Sequence, residues 1–138
     1  MPMRRAPTVF LASLAAFGGL VGCQDEAAEG AKVEVPSGRE LSLIDVITNA
    51  PGPAGAAARF RFLAPGLTTA DVEGSIADMQ VVCDSFARGR TEGMVPEPQQ
   101  IIITFMSAAV PFGEPAPDVV QFFESFRIEN DTCVWEAF

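Results

Sequence analysis

The chain has 138 residues, 49% of them hydrophobic, with 18 acidic side chains against 9 basic ones and no histidine. That length holds one domain with one modest core. A formal charge of −9 argues against a nucleic-acid binder. The lack of histidine removes every Ser-His-Asp or Cys-His arrangement and the commonest zinc ligand.

Arg4 and Arg5 precede an apolar run over residues 8–21. Such a run has the length of a signal-peptide core and falls short of the roughly 20 residues a spanning helix needs. Gly18-Gly19 would weaken a helix further. The run ends in Leu20-Val21-Gly22-Cys23, which resembles the lipobox of bacterial lipoprotein precursors. The resemblance implies a cut after Gly22, a lipid on the Cys23 thiol, and a mature chain held on the periplasmic side of the cell envelope. A plain secretory signal is the alternative, but it needs small residues one and three places before the cut, and Glu26 spoils the option after Ala28. A twin-arginine signal fits poorly, because Phe10-Leu11 lies too far from Arg4-Arg5. Gln24, not aspartate, follows Cys23, and in the enteric sorting pattern that favours the outer membrane over the inner one.

The chain therefore divides into a lipoprotein signal peptide (1–22), a lipidated cysteine with a flexible acidic tether (23–32) and a single globular domain (33–138). Losing Arg4 and Arg5 leaves 7 basic against 18 acidic side chains, a formal charge of −11. Such a charge keeps the domain soluble, suits a basic envelope partner, and disfavours adhesion to anionic lipid except through the N-terminal lipid itself. Lipidation of Cys23 leaves Cys83 and Cys133, an even pair in an oxidising compartment, which reads as one disulfide. It closes a loop of about 50 residues, worth on the order of 4 kcal/mol in the chain-entropy model. Two buried thiols are the alternative. No metal or cofactor is expected, since there is no close cysteine pair.

In the globular part, Val33-Glu34-Val35 alternates and suggests a short edge strand stopped by Pro36. Ser42 and Asp45 resemble a capping box for a short helix over 43–48, with Leu43, Val46 and Ile47 on one face; its β-branched content also permits a strand. A Pro- and Gly-rich loop spans 49–55. Over 58–63, Phe60 and Phe62 alternate with Arg59 and Arg61, the period of a strand. The two arginines are candidates for an anionic ligand or, more commonly, a strand face bonded to its neighbours.

Val72, Ile76, Met79, Cys83 and Phe86 then fall at steps of four and three, which predicts a helix over 71–88 capped by Thr69 or Asp71 and ended by Gly89. Asp78 and Asp84 fall off that stripe and are assigned to solvent. Residues 91–98 are a loop, and 101–106 is apolar without alternation, the mark of a strand covered on both faces. One helix covers one face, so the other requires the short helix, the tether or a partner. Residues 110–117 are irregular. Val119, Phe122, Phe123 and Phe126 fit a helix, but a two-residue turn at Asn130-Asp131 pairs Ile128 with Cys133 and Phe126 with Trp135 on one face, and the hairpin is preferred. The expected fold is α+β: a small, mostly antiparallel sheet packed against one main helix, with a C-terminal β-hairpin.

Arg59-Phe60-Arg61-Phe62, Val110-Pro111-Phe112-Gly113, Gln121-Phe122-Phe123-Glu124 and the C-terminal block Cys133-Val134-Trp135-Glu136-Ala137-Phe138 are similar to a family of small exported bacterial proteins classed only as a domain of unknown function. The likeness covers roughly residues 33–138. Many members of that family carry an ordinary secretory signal, so a lipobox here is a departure. The resemblance implies no catalytic residues.

Glu124, Glu129, Asp131 and Glu136 are the candidate acids, but the hairpin does not set them opposite one another as a paired-carboxylate hydrolase requires. Glu129-Asn130-Asp131 lacks the alternating oxygen ligands of a calcium loop. The chain is thus expected not to be an enzyme but an envelope interaction or structural module. Arg59, Arg61 and Trp135 are its candidate ligand or interaction residues. The alternatives are a small-molecule-binding domain and an inhibitor of a basic envelope hydrolase. Cys23→Ala is expected to abolish lipid labelling and leave the precursor uncut after Gly22, as read by lipid incorporation in whole cells. A substituted protein that is still matured and membrane-bound would return the chain to plain secretory export.

Overall fold

The computed structural model describes residues 29–137. The signal peptide, Cys23 and tether residues 24–28 lie outside the described residues, as does Phe138. Among the described residues five strands form one sheet in chain order: β1 (Ser42–Ile47), β2 (Ala57–Leu63), β3 (Gln100–Met106), β4 (Gln121–Glu129) and β5 (Thr132–Glu136). Neighbours pair antiparallel except β2 and β3, which run parallel. Parallel neighbours need a long crossover, and the chain between them supplies it as helix α1 (Val72–Val82), continued by a π turn (Cys83–Ala87) and a 3-10 turn (Arg88–Arg90). The fold is α+β, one helix against a mostly antiparallel sheet with a C-terminal hairpin, as the sequence predicts.

The short helix expected at 43–48 is instead strand β1. Its register with β2 slips between Leu43 and Asp45, so Ile44 is an extra residue and Leu43 and Val46 share the core face opposite Phe62 and Phe60. A β-bulge turns the strand period of two into a local step of three. That step imitates one turn of helix, which explains the misreading. The edge strand expected at 33–35 reduces to a single bridge, Lys32 with Ser42. Gly30 donates its N–H to Leu43 O at 2.7 Å, and Leu43 donates to Ala31 O at 2.8 Å, so residues 30–32 of the expected tether lie along β1.

The crossover starts earlier than expected. Thr68 caps a 3-10 turn (Thr69–Asp71), and the Asp71 carboxylate accepts from Thr68 N–H at 2.7 Å and Thr68 Oγ1 at 3.0 Å. These bonds from Thr68, helped by Arg39 at 3.1 Å, hold the Asp71 carboxyl below its ordinary pKa. Helical turns run through Gly89 to Arg90, and Arg90 Nη1 donates to Phe86 O at 2.8 Å. Met79, Cys83 and Phe86 of the expected stripe are buried, but Val72 is exposed and Ile76 half-buried. Asp78, assigned to solvent from the sequence, is only 2% exposed. It accepts hydrogen bonds from Ser37 N–H and Ser37 Oγ, so the helix turns toward the 32–41 segment as well as toward the sheet. Ser75, one turn earlier, is buried too, and its Oγ has no partner among the described residues.

Between helix and sheet lie Phe60, Phe62, Ile101, Ile103, Phe105 and Phe126, all fully buried. Phe86 meets Phe60 and Phe62 edge to face at 6.3 and 5.8 Å between ring centroids. The hairpin has the predicted register throughout, and Asn130 and Asp131 both take positive φ, 49° and 58°, the type I′ geometry that matches strand twist. The alternative helix around Phe122 is absent, since Phe122, Phe123 and Phe126 all lie within β4. Cys83 and Cys133 form a disulfide with Cα atoms 6.1 Å apart, joining the helical crossover to β5. Replacing both cysteines by serine is expected to lower unfolding free energy by about 2–5 kcal/mol in urea titrations. An unchanged denaturation midpoint would show that the helix and hairpin are held by packing alone.

Candidate functional site

On β2, alternation sends Phe60 and Phe62 to the helix and Arg59 and Arg61 to the opposite face. The register builds two transverse rows there: Asp45, Arg61, Thr104 and Phe123; then Ile47, Arg59, Ile102, Ser125 and Glu136. β3 is covered on this face as well, with Ile102 and Met106 buried. The cover is not the short helix, since that segment is strand β1. Two loops of the chain itself supply it, residues 48–56 and 107–120.

The arginines hold both loops. Arg61 is 3% exposed. Its Nη1 donates to Asp45 Oδ2 at 2.8 Å, and its Nη2 donates to Val110 O and lies 3.8 Å from Met106 Sδ. Arg59 donates from Nε to Ala50 O and from Nη2 to Pro51 O, both at 3.2 Å. The Phe112 ring lies 5.6 Å from both guanidinium carbons, within reach of a cation–π contact. The 107–120 loop is closed at its base, where Ser107 N–H donates to Val120 O at 2.9 Å and Val120 N–H to Ser107 Oγ at 3.0 Å.

Gln100 secures the other loop. It is fully buried, accepts from Ala54 N–H at 3.2 Å and donates to Glu136 Oε1 at 3.1 Å. A Cβ on Gly52 would stand 2.6 Å from Gln100 Oε1, so a side chain there would have to push the Gln100 amide from its place. Arg127 flanks Glu136 at 3.7 Å and pairs with Glu129 at 2.8 Å, which raises its pKa. Gln100, Phe112 and the 107–120 loop gave no sequence signal as a unit, because their contacts join distant segments.

Trp135 does not join the arginines. It shares the helix-side face with Cys133 and Phe126, is 43% exposed, and donates from Nε1 to Glu124 Oε2 at 2.9 Å. The candidate acids also diverge: Glu124 lies on the helix side and Glu136 on the arginine side, while Asp131 is in the turn. Among the described residues, no three acidic or cysteine side chains cluster as metal ligands would. A surface hollow does exist, but its lining is the 32–41 segment, with Val33, Val35, Arg39 and Leu41, and neither Arg59 nor Arg61 contributes to it. The arginine layer therefore acts as a clamp on two loops. With its donors used internally, it offers little to an anionic ligand.

Removing one partner of a buried ion pair costs about 3–5 kcal/mol, and less where the survivor keeps water. The Asp45 side chain is 38% exposed. Arg61→Met is accordingly expected to destabilise the domain by about 2–3 kcal/mol and to free the 107–120 loop for proteolysis. Arg59→Met is expected to cost about 1 kcal/mol, the scale of its lost hydrogen bonds. Equal, negligible losses in thermal and protease-resistance assays would contradict the clamp.

No curated protein and no solved structure matches this chain. A family described as of unknown function, DUF6497, matches residues 19–138. That match takes in all five strands and the helical crossover, and the chain belongs to the DUF6497 family.

Proposed function

We propose that this protein is a lipid-anchored component of the bacterial envelope whose folded domain serves as a protein-interaction or structural module, with a basic envelope protein as partner. The observation that carries the reading is how charge is spent. Lys32, Arg39, Arg61 and Arg127 are engaged in ion pairs, and Arg59 and Arg90 donate to backbone carbonyls. Glu34, Glu73, Glu92, Glu97, Glu114 and Asp118 are exposed and have no cationic partner among the described residues. Most of the positive charge is neutralised by ion pairs or spent on backbone carbonyls, and unpaired carboxylates remain at the surface, a field that steers basic partners at low salt.

Apolar contact comes from exposed aromatic side chains, Phe112 at 46% and Phe123 at 67%. The sheet face below 101–106 is not available for it, since the two loops cover that face. The Leu20-Val21-Gly22-Cys23 pattern supports anchoring, with the outer membrane favoured by Gln24. In this reading the protein is not an enzyme, and an inhibitor of a basic wall hydrolase is the sharpest form of the same idea. A small-molecule site is the weaker reading, because Arg59 and Arg61 are consumed by the fold.

The test is a pull-down from envelope extract with the soluble chain starting at Gln24, run at low and high salt. A basic protein held at low salt and released at high salt is the expected result, and a wall hydrolase among the retained proteins would select the inhibitor form. Capture of nothing, together with a metabolite that raises Tm by several degrees, would replace this reading with the ligand-binding one.

A further inference from the structure

Among the described residues β5 is the last strand of the sheet, so its far side is an edge. Ladder bonds in an antiparallel pair alternate, and a two-residue turn makes its flanking pair, Glu129 with Thr132, a bonded one. The N–H and C=O groups of Cys133 and Trp135 therefore point away from β4. Such a row is a template for a strand from another molecule.

At Cys133 that template is filled by side chains. Asp84 Oδ1 accepts from Cys133 N–H at 3.2 Å, and Gln80 Nε2 donates to Cys133 O at 2.9 Å. Gln80 Nε2 also donates to Asp84 Oδ2 at 2.9 Å, which locks the two side chains to each other one helical turn apart. One carboxylate and one amide thus occupy the acceptor and donor positions of a neighbouring strand. The disulfide from Cys83 keeps the helix in place above them. Cys133 is held at its sulfur, its N–H and its C=O by three residues of one helical segment.

We propose that Gln80 and Asp84 form a plug that closes the β5 edge against a second copy of this chain. This goes beyond the interaction reading above and does not depend on it. The occupant excluded is a second copy because β5 is self-complementary. A two-fold axis at Val134 sets Cys133 opposite Trp135 of the other copy and Thr132 opposite its Glu136, so the outward groups meet and no like charges face each other. Val, Thr and Trp favour strand pairing, and the half-exposed Trp135 gains cover on association. The acidic surface opposes pairing, so salt strengthens it once the plug is gone.

The experiment compares the chain from Gln24 onward with its Gln80→Ala/Asp84→Ala variant, both with the disulfide intact. Sedimentation velocity is run over a wide concentration range. The parent is expected to stay at monomer mass, and the variant to rise toward twice that mass with a blue shift in fluorescence from its one tryptophan. Adding Trp135→Lys to the variant is expected to restore the monomer, because a charged edge resists pairing. A variant that melts cooperatively and remains monomeric at the highest concentration overturns the proposal. Should the variant fail to fold, hydrogen exchange on the parent decides. The Cys133 amide is expected to exchange at least about tenfold more slowly than the Trp135 amide, and equal rates overturn the plug.

Discussion

Arg61 places a full positive charge inside the sheet's second face, and much of the chain is arranged to keep that charge solvated by protein. An uncompensated buried charge costs several kcal/mol, so each group around Arg61 has a task. Asp45 supplies the counter-charge, Val110 a carbonyl, Met106 a polarisable sulfur and Phe112 a ring face. Asp45 reaches this position because β1 bulges at Ile44, which turns Leu43 and Val46 inward and Asp45 outward toward Arg61. The 107–120 loop lies over the sheet because its carbonyl is needed there. Covering that face with two loops also removes the apolar surface that a bare strand such as β3 would expose.

This arrangement shapes the surface left for function. A protein with few cations that uses most of them to fix its own loops and ion pairs presents the remaining carboxylates to solvent. The acidity is thus a consequence of where the arginines and lysine sit as well as of composition. The same bonds make Arg59 and Arg61 poor recognition groups, although an alternating Arg-Phe strand invites that interpretation.

The helix and the hairpin are tied by a different device. Near Cys133 the crossover provides a covalent bond, an acceptor and a donor to one residue of an edge strand. The other edge is handled by backbone, where Gly30 and Ala31 pair with Leu43 of β1. Both edges of the sheet are thereby closed over part of their length, one by the last residues of the expected tether and one by helix side chains.

Features that depend on local spacing were legible in the sequence. The two-residue period of β2, the Asn130-Asp131 turn and the hairpin register it dictates, the main helix and the pairing of Cys83 with Cys133 all follow from neighbouring residues or from counting. What tertiary structure decided are the meetings of distant segments. The bulge at Ile44 imitates a helical step, and only pairing with β2 distinguishes the two. Asp78 is hydrophilic and off the apolar stripe, and its burial depends on Ser37, 41 residues away. The cover over β3 comes from loops whose own sequence shows only Pro and Gly, and Asp84 looks like solvent face until Cys133 N–H arrives beside it. Periodicity records which face of an element is apolar; which polar group a folded neighbour will bring to the other face is set only when the chain closes.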